Sequence, residues 1–146
     1  MRFRHRTLAR RNDEFRRDGY SKDLEGRIFI LSDANAGEEA LGRLFNGLAT
    51  AYDFKQRNTE AAIYFQGTGT RWAGVVKNPD HPVNALFKAV EDKVKGVSSA
   101  CADVFGARNA AIKNGFDLVS GNSVPGTSGL PSIGELIADG FTVPTF

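Results

Sequence analysis

The sequence has little cysteine, little histidine and no long apolar run. One cysteine in 146 residues excludes an intrachain disulfide framework and any cysteine-rich zinc or iron–sulfur site. Two histidines, His5 and His81, leave few candidates for imidazole chemistry, and no metal site or organic cofactor is expected. No stretch approaches the roughly 20 apolar residues that cross a bilayer, so no membrane association is expected. A large excess of one charge is missing too. The 19 Lys and Arg stand against 17 Asp and Glu, which argues against a globally basic nucleic-acid binder. What is there is ordinary for a globular protein: 25% charged and 41% hydrophobic residues, with 16 glycines. The length suits one domain with its own core, and the expectation is a soluble, cytoplasmic protein.

The small net charge hides an asymmetry. Residues 1 to 17 carry seven arginines against Asp13 and Glu14, a local balance of +5, and the remainder sums to −3. No apolar run follows, as a secretory signal requires, and Asp13 and Glu14 spoil a transit-peptide pattern. Such a segment can steer a protein to phosphate or an anionic surface. The plainer reading, preferred here, is a solvated arm or subunit contact. The division expected is a basic arm over 1–26 and a domain over 27–146.

Within that domain, Arg27 to Leu31 (RIFIL) reads as a strand buried on both faces. Leu41, Leu44, Phe45, Leu48 and Tyr52 recur at helical spacing behind Glu38 and Glu39, acids suited to a helix N-terminus. Ala61 to Phe65 reads as a second strand. Pro82 then opens a helix with an apolar stripe at Val83, Leu86, Phe87, Val90 and Val94, which Gly96 ends. Val97 to Ala100 reads as a third strand with Cys101 directly after it. Val104, Phe105, Ala107, Ala111 and Ile112 predict a further helix stopped at Asn114-Gly115, then Phe116 to Val119 a fourth strand. Residues 120–131 are loop, and Ser132 with Glu135 predicts a capping box on a last short helix. Strands alternating with helices predict a single three-layer α/β/α domain of flavodoxin- or Rossmann-like topology, its sheet mainly parallel with about five strands.

Chemistry in such sheets gathers beyond the carboxyl ends of the strands. Residues 32–37, 67–74 and 101–103 are expected there, with the 120–131 loop over the same edge. Cys101, between a strand and a helix N-terminus, faces unpaired backbone N–H groups that favour the nucleophilic thiolate. Read for function, it is a thiolate that attacks or carries a soft electrophile such as sulfur. Read for structure, it is a small buried hydrophobe, and its position alone favours that second reading. Neither His5 nor His81 can be placed beside it from sequence.

The second constellation is Gly67-Thr68-Gly69-Thr70-Arg71-Trp72-Ala73-Gly74. Glycine N–H groups and Arg71 can hold an anion. Yet the spacing fits neither G-x-G-x-x-G nor the phosphate loop, so a tight turn with Trp72 packed on the domain or a neighbouring subunit is preferred. Asp33 and Asp103 are candidate acids or bases, against the commoner roles of cap and solvated loop. Arg108 is a candidate for steering an anionic sulfur species, against the default of a surface ion pair.

The segments IYFQGTGTR (63–71) and VSSACADVFGARN (97–109), with the ending ELIADGFTVPTF (135–146), resemble the DsrE/DsrF-like family, which includes sulfur-relay subunits of the TusD type. The resemblance covers residues 27–146. It implies that Cys101 matches the cysteine carrying a persulfide between proteins, with no cofactor needed. It also implies homo-oligomers, often trimers or hexamers, or mixed assemblies. Under this reading Asp33, Gly67, Gly69, Arg71 and Asp103 are the expected substrate-binding residues. The partners are sulfur donor and acceptor proteins or small sulfane-sulfur species, and Trp72, Val75 and Val76 are candidates for an apolar subunit contact. Two readings compete: a module that binds a small anion or nucleotide without catalysis, and a structural or regulatory oligomer.

Overall fold

A computed structural model describes residues 25–146; the arginine-rich arm and His5 lie outside the described residues. Four parallel strands lie in the spatial order β1-β2-β3-β4: β1 (Gly26–Ile30), β2 (Ala61–Phe65), β3 (Val94–Ser98) and β4 (Leu118–Val119). Residues 142–146 run parallel to the outer side of β1. There Arg27, Phe29 and Leu31 donate to the carbonyls of Thr142, Pro144 and Phe146 at 2.8, 3.0 and 2.7 Å. The sheet therefore has four regular strands and one irregular edge ladder, close to the five expected.

The pleat sends alternate side chains to opposite faces. Ile28, Ile30, Ile63, Phe65 and Val97 point to the main core, while Phe29 and Tyr64 stack on each other on the second face. Helix α1 (Glu38–Gln56) covers the main face with Leu44 and Leu48, both fully buried. Each such leucine stabilises the fold by roughly 1.5–3 kcal/mol. Its end is fixed locally: Asn58 takes a left-handed φ of 55°, and the amides of Asn58 and Thr59 reach back to the carbonyls of Lys55 and Phe54. Helices α2 (Asn84–Val90), α3 (Ser99–Val104) and α4 (Arg108–Lys113) complete that layer. The short α5 (Ile133–Ala138) lies on the second face, so the sheet is covered on both sides.

Several boundaries differ from the sequence reading. The stripe through Val83, Phe87, Val90 and Val94 is not one helix: α2 ends at Val90, a 3-10 turn spans Glu91–Lys93, and Val94 starts β3. Gly96 is not a helix stop. It sits inside β3 where the register slips, Ile63 facing Val94 but Tyr64 facing Gly96, so Lys95 is the extra residue of a β-bulge. The segment Gly67–Gly74 is an eight-residue 3-10 helix and not merely a tight turn. The helix read from Val104 to Ile112 is broken at residues 105–107 into α3 and α4, leaving Val104 72% and Ile112 55% exposed. Ser132 precedes α5 without a side-chain cap bond, so no capping box forms. Trp72 and Val76 are buried in their own domain, at 2% and 0% exposure, which removes them from any subunit contact.

Candidate functional site

Ser98 closes β3 and caps α3, its hydroxyl accepting the Cys101 N–H at 3.5 Å. Cys101 is thus the third residue of the helix, not the residue directly after the strand, and its thiol is half-buried. The expected free amides are largely taken, because Ala100 N–H donates to the Gly129 carbonyl at 2.8 Å. That bond also brings the 120–131 loop over the strand edge, as its composition and position suggested.

On another face of the same helix, Ser99 and Asp103 join Ser128 and Arg108 in a closed polar chain. The Ser128 hydroxyl donates to Asp103 Oδ2 at 2.6 Å and lies 2.8 Å from the Ser99 hydroxyl. Arg108 Nη1 donates to Ser99 Oγ at 3.3 Å and to Asp103 Oδ1 at 3.1 Å. The Ser128 hydroxyl, then the Arg108 guanidinium, hold the Asp103 carboxyl below its ordinary range against a smaller effect of burial. Sequence reasoning found Asp103 and Arg108 but gave Ser99 and Ser128 no role. The Ser98-Ser99 pair ahead of an apolar helix face is the cap signal that would have found one side of this chain.

The network makes a testable demand on pH. A carboxyl whose folded-state pKa is depressed contributes stability above its unfolded value of about 3.8, and loses it as pH falls through the lower folded value. Protection of the Ala100 amide relative to its intrinsic exchange rate is therefore expected to fall as pH drops below about 3.8. Asp103→Ala should show the lower protection already near pH 6. Equal Ala100 protection in the two proteins at pH 6 would refute the link.

Helix α3 packs on the Gly67–Gly74 segment, which brings the second constellation to the same edge. Arg71 Nη1 pairs with Asp33 Oδ2 at 2.8 Å, and its Nε donates to the Phe105 carbonyl at 3.3 Å. The Asn35 amide and Arg71 together lower the Asp33 carboxyl. Asp33 and Arg71 thus satisfy each other, and an incoming anion has to compete for that guanidinium. Gly67 takes a φ of 60° and starts the segment; Gly69 lies against the backbone of Ile30, where a Cβ would stand 2.1 Å from the carbonyl oxygen. Gly69 serves close packing of the segment on β1. Gln66, just ahead of the segment, carries a buried side-chain oxygen without a hydrogen-bond partner among the described residues. His81 is occupied elsewhere, edge-on to Trp72 at 6.0 Å and accepting the Val83 N–H through Nδ1. Among the described residues no cluster of His, Cys, Asp and Glu is arranged to hold a metal, and no helix is long and apolar enough to cross a membrane.

Fold and edge together define a parallel α/β domain with helices on both faces and a half-buried thiol beyond the end of β3. The fold is similar to that of a conserved protein of unknown function from Bacteroides thetaiotaomicron, with a TM-score of 0.58 and 16% identity over 86% of this chain and 97% of that one. The ychN protein of E. coli aligns with a TM-score of 0.48 and 17% identity, over 84% and 99% of the two chains. No protein-family model matches the sequence, and neither does any curated protein.

Proposed function

We propose that this chain is a sulfur-relay protein of the DsrE/DsrF-like kind, with Cys101 as the persulfide carrier. The observation that carries the reading is the placement of the thiol: half-buried on the first turns of α3, beyond the carboxyl end of a parallel strand, on the helix that also holds Ser99 and Asp103. Topological edges of this kind are where open α/β sheets place ligands.

In the reaction, the Cys101 thiolate attacks the outer sulfur of a donor persulfide. One S–S bond forms on Cys101 as the donor's S–S bond breaks, and the donor leaves as a thiolate. An acceptor thiolate then takes the outer sulfur by the same exchange, which returns Cys101 to its starting state. Neither step has a net oxidant or reductant. Arg108, at the start of α4, serves an anionic donor if its bond to Asp103 opens. Val104, three residues after Cys101 at the end of α3 and 72% exposed, offers a partner protein an apolar contact on the helix that carries the thiol. Assembly into homo-oligomers belongs to the same proposal, and sedimentation velocity reads it directly.

Whole-protein mass spectrometry after exposure to a sulfane-sulfur donor tests the carrier role. The wild-type chain is expected to gain one sulfur atom, reversibly with dithiothreitol, and Cys101→Ser to gain none. A wild-type chain that stays unmodified, or a Cys101→Ser chain that gains the same mass, overturns the proposal.

A further inference from the structure

A cavity of about 520 Å³ lies on the second face of the sheet, between the strands and α5. That volume falls within the roughly 300–1,000 Å³ of small-ligand sites. Neither Cys101 nor any member of the polar chain lines it.

The wall from β2 carries Tyr64, 95% buried, its ring held flat against Phe29 with centroids 4.6 Å apart. No described residue hydrogen-bonds the Tyr64 hydroxyl, which leaves it available to the cavity. Burial pushes the phenol above its usual range, against the smaller effect of the nearby Arg27 charge, so it remains a proton donor at neutral pH. Arg27, on the neighbouring strand, lies with its guanidinium carbon 3.8 Å over the Phe141 ring. Its one hydrogen bond among the described residues runs from Nη1 to the Gly26 carbonyl, at 3.2 Å, so no described residue accepts from its other N–H groups. Two donors therefore line one cavity without an ion pair or hydrogen bond to its carboxylates among the described residues. The same cavity is lined by Glu60, Glu135 and Asp139, none of which makes an ion pair among the described residues, and by Asp92, Lys93 and Lys95, of which Asp92 pairs with Lys55 and Lys93. A plain anion would meet these carboxylates, and a plain cation would meet Arg27, Lys93 and Lys95. A molecule carrying both charges meets neither conflict, and Ala62, Val119 and Leu136 supply apolar wall.

We propose that this cavity binds a small zwitterion, an amine and a carboxylate on an apolar body, such as an apolar amino acid. The carboxylate sits on Arg27 and Tyr64, and the ammonium group on the carboxylate side of the cavity. The site is independent of the thiol chemistry proposed for Cys101.

The test is a titration of backbone amide resonances with three probes: L-phenylalanine, 3-phenylpropionate, which lacks the amine, and phenethylamine, which lacks the carboxylate. L-Phenylalanine is expected to shift β2 and α5 amides saturably and to bind about tenfold more tightly than either single-charge probe. Arg27→Gln and Tyr64→Phe should each weaken it about three- to tenfold. If Arg27→Gln fails to fold, Leu136→Trp, which fills the cavity from the partly exposed α5, should abolish the shifts. Absence of saturable shifts, equal affinity for either single-charge probe, or binding unchanged in the variants overturns the assignment.

Discussion

Replacing Trp72 with alanine is expected to cost about 3–5 kcal/mol, the range for deleting a large buried aromatic. For a domain of this size that corresponds to a melting temperature lower by roughly 10 °C or more. The side chain is 2% exposed in the main core, and its indole N–H donates to the Ser32 carbonyl at 2.7 Å. Two losses therefore add: a cavity beside Phe87 and Val76 in the same cluster, and an unsatisfied carbonyl at the end of β1. Trp72→Phe separates them, because it keeps much of the packing and removes the donor. The orphaned carbonyl alone should cost about 1–3 kcal/mol. Urea unfolding measures both, as a shift in midpoint at unchanged slope. A loss under about 1 kcal/mol for Trp72→Ala would mean that the indole is not part of this core.

Gly69→Ala should be as damaging although it adds a single carbon. The new Cβ would stand 2.1 Å from the Ile30 carbonyl oxygen and 2.8 Å from its carbon, both backbone atoms of β1. No rotamer relieves such a clash. Either the 3-10 segment lifts or β1 bends, and bending β1 strains the 3.0 Å bond from Gln66 N–H to Ile30 O. The expected cost is about 3 kcal/mol or more. Gly74→Ala, in the same segment, is the control: the nearest atom to its Cβ is the Ala110 methyl at 3.5 Å, an ordinary contact. Its stability should stay within about 0.5 kcal/mol of wild type. Thermal unfolding of the pair decides. Similar melting temperatures for both variants would show that the segment does not press on β1.

The sequence showed most clearly what depends on local chemistry. β2 begins and ends where its apolar run does, and β1 lies within one residue of its own. α1 follows from its repeat of leucines and its acidic first turn. The errors came where two periodicities met. Val94 keeps helical spacing from Val90, so nothing in the pattern marks the 3-10 turn or the change to strand. Gly96 looks like a helix stop because a glycine that lets two backbones approach carries the same letter; its Cβ would stand 2.5 Å from the Asp117 carbonyl oxygen. The candidate site was legible in one dimension only. Cys101, Asp103 and Arg108 share a short stretch, but Ser128 reaches them from a distant loop that tertiary folding alone brings close. Tyr64 looked like any strand aromatic, since alternation cannot show that its face of the sheet is hollow.

The ladder between residues 142–146 and β1 has a kinetic consequence. Strands β1 to β4 pair in the order in which they occur along the chain, so each pairing closes a loop of moderate length. The edge ladder instead joins the two ends of the described chain, Gly26 with Thr142 and Phe29 with Thr145, and so closes the longest loop in the fold. Loop closure of that kind is slow relative to local pairing and follows once the other contacts repay its entropy. The ladder is thus the element expected to form last and to open first. Each opening leaves the N–H and C=O groups of β1 as a free edge, the form in which a parallel sheet is most prone to recruit a strand from another chain.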